Sequence, residues 1–135
     1  MQIFIDTNIF LDLILKREKY SEALSIFTAI EQKQFIGIVL DITILNIDYI
    51  AKKQTKDIRE FLLLINKVFK VVGATNETIL DALKVDNNDL EDNLQYISAK
   101  NTKCTLIVTN DKKFIKKNIR VFTSEEFCRE YINAN

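Results

Sequence analysis

Short apolar runs alternate with longer stretches of helical periodicity along the whole chain. The short runs are nearly continuous in Val, Ile, Leu and Phe, as is typical of strands that are covered on both faces. Strands that alternate with helices predict a parallel sheet, because the chain returns to the start of the next parallel strand through a crossover helix. The sequence therefore predicts an α/β fold, a three-layer α/β/α sandwich with a central parallel sheet of four to five strands.

The alternation assigns the elements within one domain that spans residues 1–135. Strands are predicted at 2–5, 35–40, 68–72, 104–109 and 119–122. Helices are predicted at 8–17, 20–33, 42–54, 56–67, 76–84, 89–101 and 124–132. Ser21, Thr75 and Thr123 are residues that commonly start helices. A chain of 135 residues, 47% hydrophobic and without proline, can bury a full core without metal or disulfide staples.

Composition excludes several classes of function. Nineteen basic and nineteen acidic residues cancel, so a nucleic-acid contact must depend on a local patch. Histidine is absent, which excludes Ser-His-Asp catalysis and histidine-bound zinc. The two cysteines, Cys104 and Cys128, lack metal-binding spacing and indicate free thiols in a reducing compartment. With no signal segment and no apolar run that could span a membrane, a cytoplasmic protein is expected, and any catalysis must use carboxylates.

Three acids are predicted to meet at one edge of the sheet. Asp6 follows the first strand, Asp111 follows the fourth, and Asp92 begins the helix that leads into the fourth. The carboxyl ends of parallel strands share one edge, where α/β proteins bind their ligands. Clustered carboxylates repel unless a cation binds them, and an oxygen-only site favours Mg²⁺ or Mn²⁺ over zinc. Such a site suits metal-dependent hydrolysis of a phosphodiester.

Each of these acids also has an ordinary structural interpretation. Asp6 is suited to cap the first helix, and Asp92 is suited to the positive end of its helix dipole. Asp111 lies in T-N-D-K, a common turn composition. Asn8 is predicted to cap the first helix and to add a supporting hydrogen bond, and Asp12 is predicted to be solvated or paired on the helix surface.

Three segments, IFIDTNIFLDL, EDNLQYISA and LIVTNDKKF, occur in the order found in PIN domains. With the strands and helices between them, the chain resembles this family over essentially its whole length, and resembles most the small bacterial members, many of which are VapC-type toxins. The resemblance implies a metal-dependent ribonuclease that is usually a homodimer and is inhibited by an antitoxin; the oxygen ligands favour Mg²⁺ as its ion, with Mn²⁺ possible. It assigns Asp6, Asp92 and Asp111 as catalytic and metal-binding acids, supported by Thr109.

The chain departs from the family pattern at one position. Many PIN domains carry a glutamate near the start of the helix after the second strand, where DITILNIDYIAKK offers Asn46. Its amide oxygen can hold a water or a phosphate oxygen but brings no charge. Asp48 faces away from Asn46 on a helix, and Asp41 is predicted to cap that helix. Glu91 is either a secondary ligand or an exposed first-turn residue.

A basic run directly follows Asp111: Lys112, Lys113, Lys116, Lys117 and Arg120. This run is either a phosphate-binding surface beside the site or an ordinary solvated one, and Phe114 within it is predicted to be a core anchor.

Two alternative functions remain. A receiver domain or a dehalogenase-type phosphatase also places an acid after a strand, but the paired acids of those sites are absent. A PIN domain that binds RNA or protein without cleavage is kept open by Asn46.

Overall fold

Five parallel strands form one sheet in a computed structural model that describes residues 1–133. They are β1 (Gln2–Ile5), β2 (Ile36–Leu40), β3 (Lys70–Val72), β4 (Leu106–Val108) and β5 (Arg120–Phe122). The order across the sheet is β3-β2-β1-β4-β5, so β1 is central and lies between β2 and β4. The predicted parallel sheet is confirmed.

Helices connect the strands and cover both faces of the sheet. They are α1 (Thr7–Ile14), α2 (Tyr20–Glu31), α3 (Asp41–Ala51), α4 (Ile58–Val68), α5 (Asn76–Leu83), α6 (Leu90–Asn101) and α7 (Ser124–Phe127), the last continuing as a π-helical turn at Cys128–Ile132. No helix within residues 1–133 combines the length and the apolar composition that crossing a membrane requires. The predicted α/β/α sandwich is confirmed, with the predicted strand at 104–109 shortened to three residues.

Side chains of the central strand divide between two apolar clusters. Ile3 and Ile5 lie in a cluster with residues of α1, α2, α3 and α4. Phe4 lies in the cluster on the opposite face, with residues of α5 and α6. Successive side chains of a strand point to opposite faces, so a strand covered on both sides is apolar at every position. This explains the continuous apolar runs in the sequence.

The predicted starts of α5 and α7 are correct, and those of α2 and α3 are wrong. Thr75 caps α5, and Thr123 caps α7 in a reciprocal arrangement with Glu126. Ser21 does not cap α2, whose N-cap is Lys19 without a side-chain bond. Asp41 is not a cap, because β2 passes into α3 without a connecting residue and Leu40 takes the N-cap position.

Three helices end at a lysine in the left-handed backbone region. Lys16, Lys33 and Lys103, which follow α1, α2 and α6, have φ of 51°, 64° and 58°. After Lys103, the Cys104 N–H donates to the Ala99 carbonyl, as in a Schellman motif, and the other two ends have the same bond. Glycine is the usual residue there, so these lysines carry backbone strain.

Candidate active site

The carboxyl edge of the sheet opens into a cleft of about 230 Å³. It lies between the start of α1, which follows β1, and the start of α6, and it also reaches the loop after β4. The acids that line it are Asp6, Asp89, Glu91, Asp92 and Asp111. The three predicted acids therefore face one cleft, together with two further carboxylates from α6 and its cap.

Three of these carboxylates approach one another closely. Asp89, Asp92 and Asp111 each offer an oxygen within 4.8 Å of the others. Asp89 was not among the predicted site residues. It caps α6 by accepting a hydrogen bond from the Asp92 N–H at 3.1 Å, and this bond orients its side chain toward the start of the helix. An acid three residues before Asp92 is itself a capping signal, and this spacing could have identified it.

Asp6 lies outside that close group but faces the same cleft, and it is 4% exposed. Its Oδ1 accepts hydrogen bonds from the Thr7 N–H at 2.7 Å and the Gln95 amide at 2.8 Å. Its Oδ2 accepts from the Thr109 hydroxyl at 2.7 Å and the Asn8 amide at 3.0 Å. Asp6 is also the N-cap of α1. The same carboxylate therefore caps the helix and faces the cleft.

Asn8 is therefore not the cap of α1, and its side chain bridges two strand ends instead. Its amide donates to Asp6 and to the Thr109 Oγ1 at 3.1 Å, and its Oδ1 accepts from the Asn110 N–H at 3.0 Å. Thr109 Oγ1 also accepts from the Asp111 N–H at 3.1 Å. The loop after β4 is thus bonded to the start of α1 through Asn8 and Thr109.

Asp111 likewise forms a turn contact and faces the cleft. Its Oδ1 accepts from the Lys113 N–H at 2.9 Å, which is the expected turn contact, while the side chain belongs to the close carboxylate group. The lysines that follow it in the sequence are exposed, and Phe114 between them is buried in the core as predicted. Arg120, at the end of the basic run, pairs with Glu130 at 3.5 Å.

Asn46 lies beside a carboxylate that comes from another helix. Its amide Nδ2 donates to Glu91 Oε1 at 3.1 Å, and Glu91 lines the cleft. Asp48 is within 3.9 Å of the Lys52 ammonium. The acid nearest to Asn46 in the cleft is therefore supplied by α6.

Burial and mutual repulsion raise the pKa values of three acids of the cleft, Asp6, Glu91 and Asp92. Burial raises the pKa of Asp92 to about 7, with smaller contributions from the charges of Asp89, Asp6 and Asp111. Burial also raises the pKa of Asp6, against the opposing effect of its hydrogen bonds, and that of Glu91. Within residues 1–133, no Lys or Arg forms a salt bridge with the acids of the cleft. An all-oxygen, uncompensated set of carboxylates fits a hard divalent cation.

Asp12 was predicted to be solvated or paired on the helix surface, and this is wrong. It is only 9% exposed, and its Oδ2 accepts a hydrogen bond from the Asn110 amide at 3.0 Å. The reason is tertiary, because the loop after β4 covers this face of α1. A helical spacing alone cannot show that a loop from the other end of the chain lies there.

A family model described as PIN domain matches residues 2–113. The chain belongs to the PIN domain family. It is 33% identical to Ribonuclease VapC1 of Aquifex aeolicus (strain VF5), over 141 aligned positions that cover 96% of this chain and 95% of the relative. The resemblance inferred from the three segments is thereby confirmed.

The same PIN fold occurs in a solved structure from Rickettsia felis, described as VapBC2 bound to a DNA fragment from their promoter. One chain of it matches with a TM-score of 0.65, covering 91% of this chain and 98% of that chain. Sequence identity is 15%, so this likeness shows the fold alone. All the acids of the cleft lie within the residues that match the PIN model.

Proposed function

We propose that this protein is a metal-dependent endoribonuclease of the VapC type, which hydrolyses RNA phosphodiester bonds. The observation that carries the proposal is the group of three carboxylates within 4.8 Å of one another, in a cleft where no basic side chain of residues 1–133 compensates them. Full-length similarity to a relative named as a ribonuclease supports the same activity.

Asp6, Asp92 and Asp111 are the proposed metal-binding and catalytic acids, and Asp89 joins them. Their oxygen ligands suit Mg²⁺, with Mn²⁺ as the alternative. When bound, a divalent ion stabilises the charge on the attacking and leaving oxygens of the phosphodiester. Thr109 and Asn8 orient the Asp6 carboxylate, which the Gln95 amide also contacts.

Other side chains around the cleft have proposed roles in substrate binding. Lys112 and Lys113 contact RNA phosphates beside Asp111, through charge and without reading sequence. Glu91, held by the Asn46 amide, supplies the carboxylate that position 46 lacks. Asn46 itself brings no charge, so it contributes less to the binding of a second ion than a glutamate would.

The proposed partners are an antitoxin protein and a second copy of this chain. Leu45, Tyr49 and Leu63 on α3 and α4 are more than 60% exposed (70%, 67% and 64%), which is an apolar surface available for association. Size-exclusion chromatography with light scattering tests the homodimer. Co-purification with the product of the neighbouring open reading frame tests the antitoxin. The proposed compartment is the cytoplasm, in keeping with two buried free cysteines.

The direct test incubates purified protein with single-stranded and structured RNA, with Mg²⁺ or Mn²⁺ and then with a chelator. Cleavage is expected only with metal. Asp6→Asn should abolish it, but an asparagine there sets an amide NH₂ against the groups that now donate to the carboxylate. The Asp92 carboxylate accepts no hydrogen bond within residues 1–133, so Asp92→Asn is the cleaner variant.

Absence of cleavage with either metal, together with absence of metal binding by calorimetry, contradicts the enzyme. The alternative function is a PIN domain that binds RNA or protein without cutting, which the uncharged Asn46 favours. Retention of labelled RNA in a binding assay, without cleavage of the same RNA, would identify that alternative.

A further inference from the structure

The side chain of Asn110, in the loop after β4, is bonded to two separate helices behind the cleft. Its amide nitrogen donates to Asp12 Oδ2 in α1 and to Ser124 Oγ at the start of α7, both at 3.0 Å. Its amide oxygen accepts from the Ser124 N–H at 2.9 Å. Its backbone N–H donates to Asn8. Every polar group of the residue that faces these elements is therefore used.

The orientation of this amide is fixed by its neighbours. The Asp12 carboxylate can only accept a hydrogen bond when ionised, and the Ser124 N–H can only donate one. A rotated amide would lose both bonds. Ser124 is fully buried and Asp12 nearly so, which makes unsatisfied polar groups there costly.

This network does not serve to start α7, because that helix already has its cap. Thr123 accepts from the Glu126 N–H, and the Glu126 carboxylate accepts from the Thr123 N–H. The bonds between Asn110 and Ser124 therefore attach the loop after β4 to the helix. The bond to Asp12 attaches the same loop to α1.

We infer that Asn110 is a positioning residue, which sets Asp111 at the correct distance from Asp6 and from the acids of α6. Asp111 is the next residue in the loop, and its own N–H is bonded to Thr109, which in turn donates to Asp6. The inference rests on the proposed metal-dependent function. Loss of a group that orients a metal ligand typically weakens metal affinity or activity by about 10–100-fold.

The test exchanges the hydrogen-bond donor and acceptor between Asn110 and Asp12. Asn110→Asp keeps the shape and the acceptor for Ser124, but it places a second carboxylate against Asp12. Combining it with Asp12→Asn restores a donor facing an acceptor, with the same net charge as the wild type. Metal affinity is measured by calorimetry with Mg²⁺ and with Mn²⁺ at about pH 8, where carboxyl groups of ordinary pKa are ionised.

Asn110→Asp should weaken metal binding by about 10–100-fold, and the double variant should recover most of the loss. If charge alone decided the affinity, Asn110→Asp would instead strengthen metal binding, since an added carboxylate near the site attracts a cation. With RNA, the single variant should lower kcat more than it changes KM. Thr75→Ala, which removes the cap of α5, shows what a loss of stability alone does to both measurements.

Wild-type affinity and cleavage in Asn110→Asp would overturn the inference, and so would a double variant no better than the single one. The wild-type protein separates the two proposals. If the wild type binds metal and cuts RNA while Asn110→Asp matches it, only the positioning role fails. If the wild type does neither, the proposed function fails and the inference falls with it.

Discussion

The first helix contributes to two regions with opposite chemistry. On one side, Phe10 packs edge-on against Phe69 with ring centroids 5.0 Å apart, and Phe27 joins them at 5.3 Å from Phe69. On the other side, Asn8 and Asp12 enter the polar network at the carboxyl edge. Burial lowers the free energy of the aromatic side chains, whereas it raises the free energy of the charged side chains at the acidic edge. Stability and the proposed function are therefore located in different regions, and substitutions should separate them.

The largest expected effect on stability lies in the aromatic cluster. Phe69→Ala should lower the free energy of unfolding by about 3–5 kcal/mol, because it leaves a cavity beside two other rings. Urea denaturation measures this, and Phe69→Leu should lose less. Metal affinity of the remaining folded protein should be unchanged. A loss below about 1 kcal/mol would show that the cluster collapses around the gap.

The acidic edge should respond in the opposite way to Asp92→Asn. This change removes a charge that burial and four neighbouring acids oppose, so the metal-free protein should become more stable. RNA cleavage should fall by more than the roughly 100-fold that loss of a ligand-orienting group costs, because a proposed metal ligand is itself removed. Thermal unfolding and a cleavage assay measure the two effects. Asp86→Asn, an exposed acid outside the cleft, serves as the matched control and should change neither.

The stability of the metal-free protein should also depend on pH. The Asp92 carboxyl group has a pKa of about 7 in the folded protein, above its ordinary value near 4, so the folded state binds this proton more tightly than the unfolded chain does. Stability should therefore fall as pH rises from about 4 to about 7 and then level off.

Thermal unfolding in buffers across that range, with chelator present, measures the trend. The slope should decrease in Asp92→Asn, and saturating Mg²⁺ should restore stability above about pH 7 by binding the folded state. A wild-type protein that is equally stable at both ends of this range, while metal-free, would contradict the crowded carboxylates of the cleft.

The smallest expected effect lies at the other end of α6. Lys103→Gly should raise the free energy of unfolding by about 0.5–1 kcal/mol, since glycine adopts the positive φ of 58° without strain. Lys100→Gly, inside the same helix, should instead lower it by about 1 kcal/mol. Urea denaturation of both compares them. RNA cleavage should be unaffected in either, because both lie far from the acidic start of the helix.

The site residues that follow a strand or lie in the first turn of a helix could be predicted from the sequence. Asp6, Asp92 and Asp111 face one cleft because the ends of parallel strands must meet at one edge. The capping role of Asp89 could be predicted from its position three residues before Asp92, but its approach to Asp111 could not, because that depends on how the start of α6 lies against the loop after β4. The burial of Asp12 was missed because it depends on a loop nearly one hundred positions away in the sequence.

The sequence by itself determined the parallel sheet, the covering of both its faces and the family. Hydrophobic periodicity and the order of the motifs along the chain are properties of the sequence and need no coordinates. Only the tertiary structure decided which carboxylates approach within 4.8 Å, which donors hold Asp6, and that Glu91 lies against Asn46. Hydrogen bonds require atoms from distant segments to meet within a few tenths of an ångström. That precision comes from packing, which a pattern of residue types does not encode.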